Sequence, residues 1–391
     1  MRLKGFKYLK KQRILTLTIV LTLSSTLFST TAISLLSLYR GWTAYLGEGE
    51  DIIAIYDRKS STPFTGLVPA YLAGTMLTKN GVLASSPEAI APCSIKNELI
   101  FLRGIMPEDF ARLNPLTIVE GNMLKRGDLY SAVLGKNSAK KLNVRPGGKI
   151  LVFGTLTERY LELHAKGVYS SNSPLDDEIL APLPVGQWLR GTDYNHVTLI
   201  RLKIDRDVTS PAAIFEEIAK EASKPTQSQE EAKPPEESPI TASTLRFMIE
   251  DIEVGDVQKF MKNYMDRYGM TKEALLVFSV TVFVFSSIAI AAAIKTLITQ
   301  HKGEINVLRS IGASEKLLKR DIFVKLLPWS LIASSIGMAL ATALLTAAKE
   351  CGYLQVLSHT VQLQLDPLIM AINFTLAILL VLISILKEDL E

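Results

Sequence analysis

Apolar residues along this chain are bunched rather than spread. Residues 14–39, 274–294, 326–348 and 367–386 run without Asp, Glu, Lys, Arg or His. At 1.5 Å of rise per helical residue, about 20 residues cross a hydrocarbon core of about 30 Å, so each stretch is long enough to span a membrane. Between the first and second stretches the pattern changes to short β-branched runs bounded by Gly, Pro or Asn. Residues 52–56, 99–103, 131–134, 149–153, 161–169 and 197–204 read as strands, and 138–142 and 214–221 as short helices. The predicted fold is a membrane protein with four transmembrane α-helices, one N-terminal and three C-terminal, and a large mixed α/β extracytoplasmic domain between the first and second.

This pattern divides the chain into a basic N-terminus (1–13), a first span (14–39), the α/β domain (40–272), a second span (273–298), a loop (299–325), a third span (326–348), a short loop (349–366), a fourth span (367–386) and a tail (387–391). Inside the domain, residues 220–243 place Pro225, Pro234, Pro235 and Pro239 among Glu, Gln, Lys and Ser. Such a composition buries too little surface to offset its ordering entropy, so a flexible excursion is expected. After it, Phe247, Ile249, Ile252, Val257, Phe260, Met261 and Tyr264 recur at roughly helical spacing. They predict an amphipathic stalk helix, 254–272, that runs into the second span, or else a helix packed on the domain.

Charge orients the four spans. The first 13 residues carry Arg2, Lys4, Lys7, Lys10, Lys11 and Arg13 with no acid, and loop 299–325 carries Lys302, Arg309, Lys316, Lys319, Arg320 and Lys325. The loop after the third span has only Lys349. By the positive-inside rule, both termini and loop 299–325 are cytoplasmic and the domain lies outside the plasma membrane. The net charge of +4 is then a topology signal, with no nucleic acid implied. A basic start before an apolar run also describes a signal peptide. Here the run is longer than the usual apolar region of about 7–15 residues, and Tyr39, Arg40 and Trp42 follow as an interfacial set. We read it as an anchor.

Candidate chemistry is sparse. No span has a charge at mid-depth, Lys295 lying near a helix end, which disfavours an ion-coupled transporter. Thr18, Thr22, Ser25 and Ser29 share one face of the first span, and Ser330, Ser334, Gly337 and Ala341 one face of the third. Both read as packing faces rather than as the lining of a polar path. Nothing pairs Cys93 with Cys351, no Cys/His cluster has zinc spacing, and His164, His196, His301 and His359 are scattered. The acidic run Asp176, Asp177, Glu178 reads as a solvated turn, with a cation site as the alternative. The chain carries no phosphate loop or hydrolase elbow, so neither an enzyme active site nor a bound cofactor is expected.

Loop 299–325 is the sharper signal. Gly312 reads as a left-handed C-cap and Ser314 as an N-cap, with Glu315 in the next helix's first turn. Two short helices joined by a tight turn are predicted, the first continuing the second span. They form either a hairpin lying at the headgroups or a rigid lever that docks into another protein.

The stretch EINVLRSIGAS, residues 304–314, with the basic helix after it, resembles the cytoplasmic loop of the FtsX-like permeases, which include MacB-type and lipoprotein-releasing permeases. In the α/β region RGIMPEDF (103–110), IVEGNML (118–124), AVLGKNSAKKLNVRPGGKI (132–150) and residues 167–183 resemble the MacB-type core domain. The resemblance implies the permease subunit of an ABC-type transport or mechanotransmission complex. Such a subunit dimerises with a second permease subunit, as a homo- or heterodimer, and binds a separate cytoplasmic ABC ATPase that holds Mg-ATP. ATP-driven motion passes through loop, spans and stalk to the outer domain. The loop residues implied in the ATPase contact and its geometry are Glu304, Arg309, Gly312, Ala313, Ser314 and Lys316. This sequence departs from the pattern in its acidic, Pro-rich insertion. Two rival readings are a non-transporting regulator that activates an external partner such as a wall hydrolase, and a membrane-anchored receptor without an ATPase.

Overall fold

The computed structural model describes residues 11–43, 45–47, 49–60, 65–223, 252–267, 269–356 and 359–387. It divides into two compact units. One comprises Met1–Tyr39, Gly269–Leu354 and Val361–Glu391, and the other Arg40–Tyr268 with Gln355–Thr360.

The first unit is helical. Ile14–Thr43, Lys272–Gln300, Glu315–Glu350 and Pro367–Lys387 are long and apolar enough to cross a membrane, as the pattern of uncharged stretches predicts. The third helix is longer than its uncharged stretch. Its 36 residues extend about 54 Å, so the basic residues Lys316, Lys319, Arg320 and Lys325 lie on its opening turns rather than on a separate short helix. Hydropathy marks where a helix enters hydrocarbon, while the cap at Ser314 marks where it begins. The helix continues through Pro328, which withholds the N–H that Val324's carbonyl would otherwise accept, a loss that membrane helices tolerate.

The two small-residue faces meet each other. A Cβ added at Gly337 would lie 2.6 Å from the Cβ of Ser25 and 2.8 Å from the carbonyl oxygen of Thr22. Removing that Cβ is what lets the first and third helices approach. Ser25 Oγ lies 3.1 Å from the carbonyl oxygen of Ser334 and 3.0 Å from Oδ1 of Asn373 on the fourth span. Asn373 is buried, and this polar contact ties three spans where hydrocarbon offers no alternative partner. Around it Leu17, Leu21, Ile33 and Leu36 pack with Ile290, Ile294 and Leu326, and Phe28 meets Phe283 edge to face at 5.4 Å.

The second unit is built on a 10-stranded sheet. Its strands in chain order are β1 (Ile52–Asp57), β2 (Val68–Pro69), β3 (Val82–Ile95), β4 (Glu98–Ile105), β5 (Thr117–Gly121), β6 (Ser131–Gly135), β7 (Lys149–Gly154), β8 (Tyr160–Ser170), β9 (Ile179–Pro182), β10 (His196–Val197), β11 (Leu199–Ile204) and β12 (Ile252–Asp256). β2 and β10 form a separate pair. The long strand β3 organises the rest. Its first half pairs with β11, ending at Glu88 opposite Leu199, and its second half pairs with β4, starting at Ala89 opposite Gly104. One lobe is therefore β12–β1–β11–β3. In the other lobe the pairings close into a ring, β3–β4–β9–β6–β8–β7, because β7 bonds both β3 and β8. Ala91, Cys93, Leu102, Leu134, Val152 and Leu163 fill this second lobe. Burial pushes the Cys93 thiol up to about 12, and both cysteines are free.

Four expectations change here. β3 is absent from the predicted strands because Ser85, Ser86, Pro87 and Pro92 break its β-branched pattern. Predicted strand 197–204 is split at Thr198, whose hydroxyl accepts from the Ile90 amide at 2.8 Å. Residues 220–223 close the helix Pro211–Ser223 rather than open the acidic insertion; the rest of that expected excursion lies outside the described residues. The stalk begins later and is interrupted. Residues 252–256 are strand β12, paired with β1. The helix that follows, Val257–Arg267, buries Val257, Met261 and Met265. Gly269 then takes a φ of +71° before Thr271 caps the second-span helix, its Oγ1 accepting from the Ala274 amide at 3.0 Å.

Gly337→Ala should destabilise the detergent-solubilised chain by about 1–3 kcal/mol through overpacking, although Ala is the better helix former. Gly303→Ala, where nothing lies within 4 Å of the added Cβ, should not. Thermal unfolding followed by helical circular dichroism checks this, and equal melting of the two variants would contradict close contact at Gly337.

Candidate functional site

The loop between the second and third spans is a short helix held by its own backbone. The second-span helix ends at Gln300, and His301 leaves helical geometry at φ −112° and ψ 16°. Glu304–Ser310 therefore belongs to a separate helix, Lys302–Ser310, and is not a continuation of the span. Its end is closed twice: the Gly312 amide donates to Arg309 at 2.8 Å and the Ala313 amide to Leu308 at 3.0 Å. This is the paired C-terminal closure that needs a left-handed residue, and Gly312 supplies it at φ +96°. Ser314 stands at the N-cap of the next helix with extended φ and ψ, but its side chain makes no capping bond.

The six predicted residues divide by exposure. Arg309, Gly312, Ser314 and Lys316 are exposed and Glu304 is half-buried. Ala313 is buried with Leu308, Ile305 and Leu318 in the helical core, so it anchors the turn and presents no side chain to a partner. Val307 and Ile311, which the sequence reading passed over, are more than half exposed on the same protrusion. The turn is tied at its base. Lys319 reaches Glu315 at 2.7 Å and the carbonyl of Leu386, at the end of the fourth-span helix, at 3.1 Å.

In the α/β unit the acidic run is neither a solvated turn nor an open cation site. Asp176, Asp177 and Glu178 are all buried, and among the described residues no cluster of His, Cys, Asp or Glu is arranged to hold a metal. Arg103, on β4, grips Glu178 with two nitrogens, at 2.6 and 2.9 Å, and reaches Glu88 at 2.5 Å. Arg201, on β11, donates to the other Glu88 oxygen at 2.6 Å, to the Leu46 carbonyl at 2.7 Å and to Asn114 at 3.1 Å. Tyr45 donates to Glu178. Two guanidiniums and two carboxylates thus alternate through the point where β3 changes partners. Burial alone would push the Glu178 carboxyl up, but Arg103 and His359 hold it well below the usual carboxylate range. Asp177 goes the other way, raised by burial despite its bonds to Thr360.

The clue to this cluster lay in the strands themselves. Arg103 interrupts LIFLRGI and Arg201 interrupts LIRLKI, and a cation inside a buried strand needs an anion. Which anion it finds follows from strand order and is not visible along the chain.

Glu178→Gln leaves Arg103 short of a charge partner in the interior and should cost about 3–5 kcal/mol of unfolding free energy at neutral pH. Because the folded-state pKa of Glu178 is depressed, its contribution is present above the ordinary carboxylate range and is lost as pH falls below about 4. The variant should therefore lose less stability than the parent on acidification from about pH 5 to pH 2. Denaturant unfolding of the full chain at several pH values measures both effects, and parallel pH profiles would contradict the assignment.

Residues 276–386 match the family described as FtsX-like permease C-terminal. No curated protein matches the chain. Among solved structures, the chain is similar to the periplasmic region of MacB from Actinobacillus actinomycetemcomitans, at 16% identity over 55% of this chain and 92% of that one, with a TM-score of 0.36. It is similar to the extracellular domain of the noncanonic ABC-type transporter YknZ from Gram-positive bacteria, at 17% identity over 40% of this chain and 85% of that one, with a TM-score of 0.32. A domain of a putative permease from Porphyromonas gingivalis is similar at 12% identity over 50% of this chain and 96% of that one, with a TM-score of 0.33.

Proposed function

We propose that this chain, FtsX-like over its C-terminal spans, is the membrane subunit of an ABC-type complex. In this reading it pairs with a second permease subunit and is driven by a separate ATPase that docks on the loop between the second and third spans. The observation that carries the reading is the loop's construction. A headgroup-lying hairpin would turn its apolar residues back toward the bilayer along its length. Here Ile305, Leu308 and Ala313 are already spent on the helical core, while Val307 and Ile311 face out beside Arg309 and Lys316. An exposed apolar pair among side chains of both signs, Arg309 and Lys316 with Glu315, suits a protein surface. The clustering of Lys and Arg in this loop and in the N-terminus supports placing both on the cytoplasmic side, with the α/β unit outside.

The mechanism follows from rigidity. A nucleotide-driven displacement of the ATPase moves the Lys302–Ser310 helix, whose closed end allows little independent motion. The opening turns of the third-span helix, fixed to the same turn and to Leu386 through Lys319, move with it.

Gly312→Val tests the docking. Nothing lies within 4 Å of an added Cβ, so the substitution acts only through a left-handed backbone that a β-branched residue strongly resists. The variant should insert normally but lose at least tenfold in affinity for the ATPase that co-purifies with the parent chain, whereas Gly312→Asn, which tolerates that backbone, should retain most of it. Full binding by Gly312→Val would sink the reading.

Sidedness is tested separately in a Cys351→Ser background. The remaining Cys93 is buried and its thiol is held protonated, so it stays silent. A cysteine at Lys140 should react with a membrane-impermeant maleimide in intact cells, and one at Ser314 only after permeabilisation; the reverse pattern would invert the topology.

A further inference from the structure

The segment between the third and fourth spans leaves the helical unit it connects. Leu354 and Val361 belong to that unit, while Gln355–Thr360 belongs to the α/β unit. It consists of two strands of two residues, β13 (Gln355–Val356) and β14 (His359–Thr360), paired antiparallel. So small a hairpin has no core of its own and is not stable alone, so its position depends on what holds it. The hold is specific. Thr360 gives its amide to one oxygen of Asp177 at 2.9 Å and its hydroxyl to the other at 2.7 Å. His359 Nε2 lies 3.2 Å from Glu178, and the ring stands edge-on to Tyr45 at 5.0 Å and tilted over Phe101 at 5.3 Å. Glu178 is the carboxylate that Arg103 grips, and Arg103 shares Glu88 with Arg201. From the hairpin, one hydrogen bond and three ion pairs therefore lead to β11, in the other lobe.

We propose that the hairpin is a mechanical tie, by which displacement of the third and fourth spans is delivered to the buried ionic seam where the two lobes of the α/β unit join. The chain crosses between the two units at Arg40 and Gly269 and again on either side of this hairpin, at Gln355 and Val361. Asp177 and Thr360 are its fastening, and Glu178 with His359 passes the pull to β4. That the motion is ATP-driven rests on the function proposed above; that the hairpin is fastened by Asp177 does not.

The experiment uses the full chain in nanodiscs with the ATPase that co-purifies with it, and reads backbone hydrogen exchange with and without Mg-ATP. In the parent, ATP should change exchange in β4 and β9. Asp177→Ala combined with Thr360→Val should keep ATPase binding and basal hydrolysis but reduce that ATP-dependent change at least fivefold. Asp177→Asn, which keeps an acceptor oxygen, should retain most of it. A double variant that preserves the full change overturns the proposal, and so does an Asp177→Asn variant as defective as the double one, since that would point to general disordering of the seam. If no ATPase binds the parent chain, the proposed function fails, and the fastening is judged alone. In that arm Asp177→Ala should lower protection of the Thr360 amide at least tenfold, and unchanged protection overturns the tie.

Discussion

Glu88 sits where β3 exchanges one neighbour for another, and its carboxylate is out of water. A carboxylate at that depth, left without partners, would carry a heavy desolvation cost. Two arginines, one from each lobe, make the charge tenable. The same arrangement satisfies Glu178, the last residue of the buried acidic run before β9, while Asp177 is met by Thr360 and Asp176 by Ser171 and Lys136. The seam is therefore more than an ion pair laid on a finished sheet. Moving either lobe relative to β3 separates an arginine from its acid, and a separated buried charge is far costlier than a lost surface contact. Such a constraint favours lobes that move together, or not at all.

Much of the architecture was legible because it depends on local pattern. Four uncharged stretches announce four spans, and β1, β4, β6, β7 and β8 are short alternating or β-branched runs that can be found one at a time. β3 escaped because its pairing overrides its composition: two prolines and two serines look like a loop until β11 and β4 bond its two halves. The stalk was misjudged for a related reason. Ile252 to Asp256 carries an apolar spacing shared by a strand and a helix, and only its pairing with β1 decides which is formed. Gly269, a residue compatible with a bend or a helix end, gave no warning of the break on its own.

Of the candidate residues, the loop set was visible because each is marked by its own neighbourhood. A Gly followed by a Ser–Glu pair marks a helix end and a helix start wherever it occurs. What the pattern could not decide was facing: Ala313 falls inward with Leu308, and Val307 falls outward, because the third helix takes up the side on which Leu318 lies. The seam and its hairpin were illegible for a different reason. His359 and Glu178 are 181 residues apart, and no spacing rule reaches that far. Even so, Arg103 and Arg201 signal that two anions must be found, since a charge in a buried strand is a debt that some distant residue has to meet.

Loop turn and ionic seam hold position by opposite means. At Gly312 the geometry is written in the backbone, and no side chain approaches the missing Cβ. The turn can thus present a surface whose composition varies while its direction stays fixed. At Glu178 the geometry is written in side chains, each with its hydrogen-bonding capacity taken up by a neighbour: Arg103 by two acids, Glu178 by Arg103, Tyr45 and His359. A backbone device tolerates sequence change but not a change in φ. A side-chain network tolerates small movements of the backbone but not the loss of a member. Under the proposed function, the first kind of stiffness would stand where the ATPase docks and the second where the force is spread.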